Sequence, residues 1–224
     1  MLEIGPKGRK VAAWARDWPG LERGAQTVDA ALERLEAYRP RYAEVTKLAG
    51  TAAEFAKVSR TIEIVEQYPG TGSTDFWGIS FAFSDIDRQA MSGRELSREL
   101  ALLQGCWAFF DQVRSRVSAE LRTGPRGGGR RRDEIVRHVV RNEQQWAKKL
   151  QVVTGEAVTR SDEALNQQRD ALCAAIREYH AEGKMARTWP LRYLIRHAAY
   201  HALDHAWEME DRDLTGKESE LRAS

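Results

Sequence analysis

The chain lacks several features that mark particular classes of protein. It has no uninterrupted run of about 18 apolar residues, which argues against a membrane span. Its first residues, MLEIGPKGRK, lack the apolar segment of a signal peptide. Its net charge of only +2 gives no bulk attraction to nucleic acid. These absences predict a cytoplasmic protein with no membrane partner, for which nucleic acid is a disfavoured partner.

Cysteines and phosphate-binding glycine motifs are also scarce. The two cysteines, Cys106 and Cys173, are isolated in apolar helical contexts, so we expect both to be reduced in the core rather than to act as catalytic thiols. The glycine-rich segment PGTGSTDFWGISFAF has neither Gly-x-Gly-x-x-Gly nor P-loop spacing. We therefore predict that its glycines form turns in a loop that leads into an aromatic strand.

What the 224 residues do contain is an ordinary globular composition, 42% hydrophobic and 30% charged, which allows a sizeable core. The texture of the sequence changes near residue 90. We predict an α+β protein in which a small α+β accessory domain over 1–90 precedes a C-terminal up-down-up-down four-helix bundle over 91–216. A disordered tail is predicted over 217–224.

Within the first 90 residues, local signals predict two strands and one helix. Thr27 is a suitable helix N-cap, and Pro40 is expected to end that helix. The predicted strands are Lys10 to Trp18, closed by a Pro-Gly turn signal, and Thr61 to Tyr68, which alternates apolar and polar residues.

The later residues show apolar positions spaced by threes and fours, which is typical of helix faces. Ser92 and Glu95 have the spacing of a capping box at the first helix. Four helices with short connections suggest a bundle, and bundle cores are where metal sites are built. The first predicted helix ends at about Leu121. The other three are predicted from Asp133 to Val153, from Ser161 to Ala181, and from after Pro190 to Leu214.

Three of the five histidines, His197, His201 and His205, follow one another at intervals of four. Residues four apart share a helix face, and two imidazoles so placed can bind one metal ion. At a rise of about 1.5 Å per residue, the outer two lie about 12 Å apart along the helix, too far for one ion to reach both. The spacing therefore leaves two pairs open, 197 with 201 or 201 with 205.

A third ligand could come from another helix. His138 lies in the apolar pattern of the second bundle helix, between Ile135 and Val139. Taken alone, such a residue is more often a structural core histidine. Beside a histidine triplet on a neighbouring helix, it becomes a candidate ligand, because a catalytic metal site commonly has three protein ligands and one open position.

These residues carry a resemblance to a known family. Residues from about 92 to 214 resemble the DinB-like (YfiT-like) superfamily of metal-binding four-helix bundles. Its pattern is a histidine on the second helix, commonly a glutamate five residues later, and an H-x-x-x-H pair on the last helix. His138, Glu143, His201 and His205 stand at those positions. The resemblance implies that His138, His201 and His205 hold a divalent ion such as Zn, Ni, Fe or Mn.

The resemblance also implies a function. The expected activity is that of a metal-dependent enzyme acting on a small-molecule substrate, either a thiol S-transferase with a mycothiol- or bacillithiol-type cosubstrate or a hydrolase. The alternative is a non-catalytic bundle with a structural or vestigial metal that serves as a small-molecule or protein binding module. The family often has Arg/Asn-Gly-Gln after the last histidine, whereas this chain has Ala206-Trp207-Glu208. The substrate class is therefore less determined than the metal, and the bundle leaves room for a homodimer.

Several further side chains are candidates for supporting roles. Glu143 is the predicted catalytic residue, orienting a ligand or moving a proton. His197, Asp204 and Glu208 are candidates for supporting the ligands, although acidic residues on a helix are more often simply solvated.

Two other segments are unusual. The arginines of the loop GPRGGGRRRDE could bind an anionic substrate, against the alternative of a solvated loop. These are Arg126, Arg130, Arg131 and Arg132. The segment WPGLERGAQTVDAALERLEAYRPRY is similar to the small HicB-like α+β module, for which an accessory role packed on the bundle is favoured over toxin or nucleic-acid binding.

Overall fold

A computed structural model describes residues 1–124 and 129–215 of the chain. The fold is mixed α+β and 59% helical, with one four-stranded sheet and eight α-helices in those residues, which confirms the predicted class. The chain divides into two compact units, Met1–Cys106 with Trp189–Tyr200, and Trp107–Thr188 with the residues from His201 onward. The first unit thus extends past the predicted domain boundary at residue 90. The predicted tail over 217–224 lies outside the described residues.

The first unit contains the sheet. Its strands are β1 (Leu2–Ile4), β2 (Val11–Trp14), β3 (Glu22–Ala25) and β4 (Gln67–Pro69), in the order β3-β2-β1-β4. β2 pairs antiparallel with both β1 and β3, and β1 pairs parallel with β4. Helix α1 (Val28–Leu48) packs on β2 and β3. The strand predicted from Lys10 to Trp18 is present in its first half, as β2.

Helix α1 begins as predicted but does not end at Pro40. Thr27 Oγ1 accepts a hydrogen bond of 3.2 Å from the backbone nitrogen of Ala30, as an N-cap should. The prediction for Pro40 is wrong, because the helix continues to Leu48 with the proline inside it. An internal proline costs about 3 kcal/mol. Beyond it, Tyr42 and Val45 are fully buried, and burial of such side chains contributes about 1.5–3 kcal/mol each, which offsets that cost.

The second predicted strand, Thr61 to Tyr68, forms only at its end, as β4. Ile62, Ile64 and Val65 are 41%, 46% and 53% exposed, so the alternating pattern there has no surface to bury against. The predicted aromatic strand is also wrong. After α2 (Ala52–Phe55), the glycine-rich part of that segment forms the short helix α3 (Gly72–Trp77), and its aromatic end forms neither strand nor helix. The short helix α4 (Asp85–Arg88) follows the segment. Both begin with a capping box, which satisfies their first backbone N–H groups.

Four longer helices follow, close to the predicted positions. The Ser92–Glu95 capping box precedes the first, with hydrogen bonds of 2.7 and 3.2 Å, and Ser161 caps the third. The first, second and fourth end earlier than predicted, and among the described residues no helix is both long and apolar enough to cross a membrane. The helices are α5 (Gly93–Arg116), α6 (Arg132–Ala147), α7 (Asp162–Ala181) and α8 (Leu191–Asp211), with short 3-10 turns at Lys148–Leu150 and Glu156–Thr159.

Candidate metal centre

Three imidazoles converge in the second unit. His138 comes from α6, whereas His201 and His205 lie one turn apart on α8. Each offers a ligand atom, and these atoms all lie within 4.8 Å of one another. The ring centroids are 4.7, 4.9 and 5.0 Å apart. All three side chains are partly exposed, so a small molecule from solvent can approach the cluster.

The separation of the ring nitrogens suits a shared metal ion. Nε2 of His138 lies 3.2 Å from Nε2 of His201. Two nitrogens bound to one tetrahedral ion at about 2.0–2.1 Å stand about 3.3 Å apart. Imidazole nitrogens are good ligands for Zn and for other transition metals. The donor set therefore fits a divalent ion of that class.

His138 is held in the form that a metal needs. Burial, followed by the positive charges of His205 and Arg130, lowers the pKa of His138 to about 4, against a smaller opposing effect of Glu208. The ring is consequently neutral at pH 7 and keeps a lone pair for a cation.

A carboxylate orients His205. Nδ1 of His205 lies 2.8 Å from Oε2 of Glu208. Because an ionised carboxylate only accepts, Nδ1 is the donor of this hydrogen bond, and Nε2 is the nitrogen that could bind a metal ion. Burial raises the pKa of Glu208, but the hydrogen bonds and charges of His205 and Arg212 outweigh that effect and hold this pKa below its usual value. Glu208 thus lies where a partner that orients a ligand is expected.

Arg212, which the sequence pattern did not single out, fixes Glu208 in turn. Its Nη1 donates to Oε1 of Glu208 at 2.7 Å. Its Nε and Nη2 donate to the backbone oxygens of Arg122, at 2.7 Å, and Arg130, at 3.2 Å. At Gly129, where φ is +152°, a Cβ would lie 2.1 Å from Nη2 of Arg212, so any other residue there would displace the guanidinium. The signal in the sequence was the spacing of four between Glu208 and Arg212.

Two residues of α6 beside the cluster were also missed. The side-chain amide of Asn142 donates to the backbone oxygen of His138 at 2.9 Å and lies 3.4 Å from its Nδ1. The Trp146 ring stands edge-on to His201 at 5.1 Å between centroids. These residues follow His138 by four and eight positions, the spacing of one helix face, which could have identified them.

The structure does not bring Glu143 to the cluster. The Glu143 side chain is 1% exposed, and both of its oxygens accept from Arg169 at 3.0 Å. In the described part of the chain, its carboxylate has no other hydrogen-bond partner. A step of five residues turns about 140° around a helix, so Glu143 points away from the face of His138. Its predicted catalytic role is corrected to that of a buried ion pair with Arg169.

His197 also stands apart from the cluster. It is 7% exposed and belongs to the first unit, where its ring stacks on Tyr193 at 5.2 Å between centroids. Trp189 and Phe81 pack beside it at 5.6 and 5.7 Å. Burial and the charge of Arg196 lower the pKa of His197 to about 3. The predicted supporting role is therefore corrected to that of a neutral histidine in an aromatic cluster.

The remaining candidates are distributed as follows. Arg131 pairs with Glu120, and Arg132 with Asp133 at 2.8 Å. Arg126 lies outside the described residues, and the role of Asp204, which is partly buried on α8, stays a prediction.

The cysteines stand as predicted. Cys106 and Cys173 are free and buried. Burial raises the pKa of both thiols, that of Cys173 to about 11, so neither is a ready nucleophile.

Comparison of the chain with family models, with curated proteins and with solved structures finds no match in any of the three. The DinB-like and HicB-like resemblances therefore rest on the sequence motifs alone.

Proposed function

We propose that the protein is a divalent-metal-dependent enzyme whose ion is held by His138, His201 and His205. The observation that carries this proposal is the convergence of the three ligand atoms within 4.8 Å of one another. The Glu208 carboxylate on the far nitrogen of His205 supports it, because such partners accompany histidine ligands in metal sites. Three protein ligands leave a position for water or substrate.

The chemistry proposed is that of the DinB-like superfamily, which residues from about 92 to 214 resemble. A divalent ion in this site would lower the pKa of a water or thiol bound to it. The chain itself provides three imidazole rings, a carboxylate that fixes the ring of His205, and the apolar ring of Trp146 beside His201. We infer a small-molecule reaction, either S-transfer from a mycothiol- or bacillithiol-type cosubstrate or hydrolysis.

A structural role for the metal is the second candidate. The observation that favours it is that the ligands come from two helices, α6 and α8, so an ion would cross-link them. Such a link would stabilise the second unit without any chemistry.

Metal titration tests the site itself. We expect about one Zn²⁺ or Ni²⁺ per chain for the wild type and at least a hundredfold weaker binding for His201→Ala, a larger loss than removal of an outer partner causes. His180→Ala, which removes a histidine of α7, is the matched control and should bind as the wild type does. Equal binding by the wild type and His201→Ala would remove the basis of the proposal.

Turnover separates the two candidates. The metal-loaded protein would be screened with electrophiles and mycothiol, bacillithiol or glutathione, and with small esters and amides. Turnover that is lost in His201→Ala and retained in His180→Ala supports the enzyme. Absence of turnover, together with a melting temperature that falls on metal removal, favours the structural role.

A further inference from the structure

The backbone of Arg130 is tied to the metal ligands. Nη2 of Arg212 donates to the backbone oxygen of Arg130, while Nη1 of the same guanidinium holds Glu208, which in turn holds His205. The backbone nitrogen of Arg122 donates to the backbone oxygen of Arg212 at 2.7 Å, and Arg212 returns a hydrogen bond to Arg122. These hydrogen bonds anchor the backbone of Arg130 just before α6, beside the metal ligands.

Unlike the side chains of its neighbours, that of Arg130 has no ion-pair or hydrogen-bond partner among the described residues. Arg131 and Arg132 are engaged by Glu120 and Asp133. Within residues 1–124 and 129–215, no ion pair or hydrogen bond involves the guanidinium of Arg130, and the residue is exposed. An arginine is always charged and offers five N–H donors in a planar fork, which matches a carboxylate or phosphate.

Arg130 lies just before the helix that carries His138, and its backbone oxygen is joined to His205 through Arg212 and Glu208. The Glu208 carboxylate beside His205 is already held by His205 and Arg212, so it is not available to neutralise Arg130. A positive charge close to an open metal position favours ligands that carry a negative group of their own.

We propose that the substrate of this site carries an anionic oxygen group, a carboxylate or a phosphate, and that Arg130 binds this group while the reacting end of the substrate approaches the three histidines. This inference rests on the proposed function and deepens it. Among the arginines of the arginine-rich loop, it assigns the anion-binding role to Arg130. It also gives the substrate class, which the residues after His205 left undetermined.

Binding to the Co²⁺-loaded protein provides the test. The probes are 3-mercaptopropionate and its neutral methyl ester, two thiols that differ in the charge of the far end. Thiolate binding is followed by the sulfur-to-cobalt charge-transfer absorption, which requires no turnover. Chelation and thiol acidity differ between the two probes. The quantity compared is therefore the dissociation constant of each probe for the variant relative to the wild type.

We expect Arg130→Gln to weaken binding of the acid by about five- to tenfold, the size of one partly exposed charge-assisted hydrogen bond, and to leave the ester unchanged. Arg130→Lys should keep part of the preference. Arg137→Gln, which removes an exposed charge next to His138 on a different face of α6, is the matched control and should change neither constant.

The possible failures are distinguishable. If the wild type binds no Co²⁺, the proposed function fails and this inference fails with it. If Co²⁺ and both thiols bind but Arg130→Gln leaves the acid unaffected, or Arg137→Gln weakens it equally, the role of Arg130 is overturned and the metal site stands.

Discussion

His197 and His205 lie two turns apart on the same helix and occupy opposite kinds of environment. His197 is 7% exposed and surrounded by the rings of Tyr193, Trp189 and Phe81. The His205 side chain is 13% exposed, and it contacts a carboxylate and two other imidazoles. Both have the spacing of four from His201 that marks a metal-binding pair.

The difference shows that residue spacing alone does not identify a pair of candidate metal ligands. His197 is packed among aromatic rings and forms a hydrogen bond with the backbone of Ser80. The partner of His205 is instead the Glu208 carboxylate, and α6 places the His138 imidazole beside the same pair. A histidine pair becomes a ligand pair where a neighbouring helix supplies a third nitrogen and a carboxylate orients the ring.

The largest effect that would test this comparison is on stability. His197→Ala removes a buried ring from the aromatic cluster, and we expect the metal-free protein to lose about 3 kcal/mol of unfolding free energy, as large-to-small changes in a core do. Urea unfolding of the metal-free protein measures the loss. Metal affinity should not change, since the partners of His197 are aromatic residues of the first unit.

A volume-conserving variant keeps this test informative. His197→Phe should retain most of the packing against Tyr193 and bind metal as the wild type does. If His197→Phe folds but binds metal much more weakly, His197 belongs to the site and the contrast with His205 is wrong.

The sequence predicted the parts of the site that depend on periodicity. The presence of the four long amphipathic helices and the face of α8 follow from residue spacing, and so did the choice of His138. The roles of Glu143 and His197 could not be predicted in this way. Glu143 forms an ion pair with the buried Arg169, and a residue pattern along one helix does not reveal a partner on another. His197 packs against the rings of Tyr193, Trp189 and Phe81, and Phe81 comes from a distant part of the chain.

The N-terminal part was harder for a related reason. Strand signals in the segment from Thr61 depend on a surface to pack against, and the structure provides it only for β4. Capping boxes at Thr71 and Ser84 begin two short helices, and the aromatic residues between these helices form no strand. Pro40 was outweighed by the burial of Tyr42 and Val45, a tertiary effect that local propensity does not contain.

An intermediate effect is expected at the carboxylate that distinguishes His205. Glu208→Gln keeps the shape of the side chain but removes the negative charge of the group that accepts the hydrogen bond from Nδ1 of His205. Metal affinity should therefore fall by about ten- to a hundredfold. Competition with a chelator of known affinity measures it. Glu210→Gln makes the same change two residues away, where the carboxylate pairs with Arg116, and should leave the affinity unchanged. Equal losses in both variants would mean that charge near the site, not the orientation of His205, is what counts.

The smallest effect is a pH dependence that belongs to His197. Its pKa is lowered to about 3 in the folded chain, against about 6.5 when unfolded. Above pH 6.5 the ring is neutral in both states and contributes nothing. Below it, the unfolded chain takes up a proton that the folded chain refuses, so the unfolding free energy falls as the pH falls from about 6.5 towards 3. The slope from this one group is at most about 1.4 kcal/mol per pH unit.

Urea unfolding of the metal-free wild type and His197→Phe at several pH values between about 4.5 and 7.5 isolates that slope. The charges that act on His197 are those of Arg196, which lowers its pKa, and Asp87, which raises it less, and both are unchanged in the variant. His138, whose pKa is also lowered, titrates in both proteins and cancels in the difference. The variant should therefore lose less stability on acidification than the wild type. Parallel curves would show that His197 accepts a proton in the folded state, which a ring closed in by Tyr193, Trp189 and Phe81 should not do.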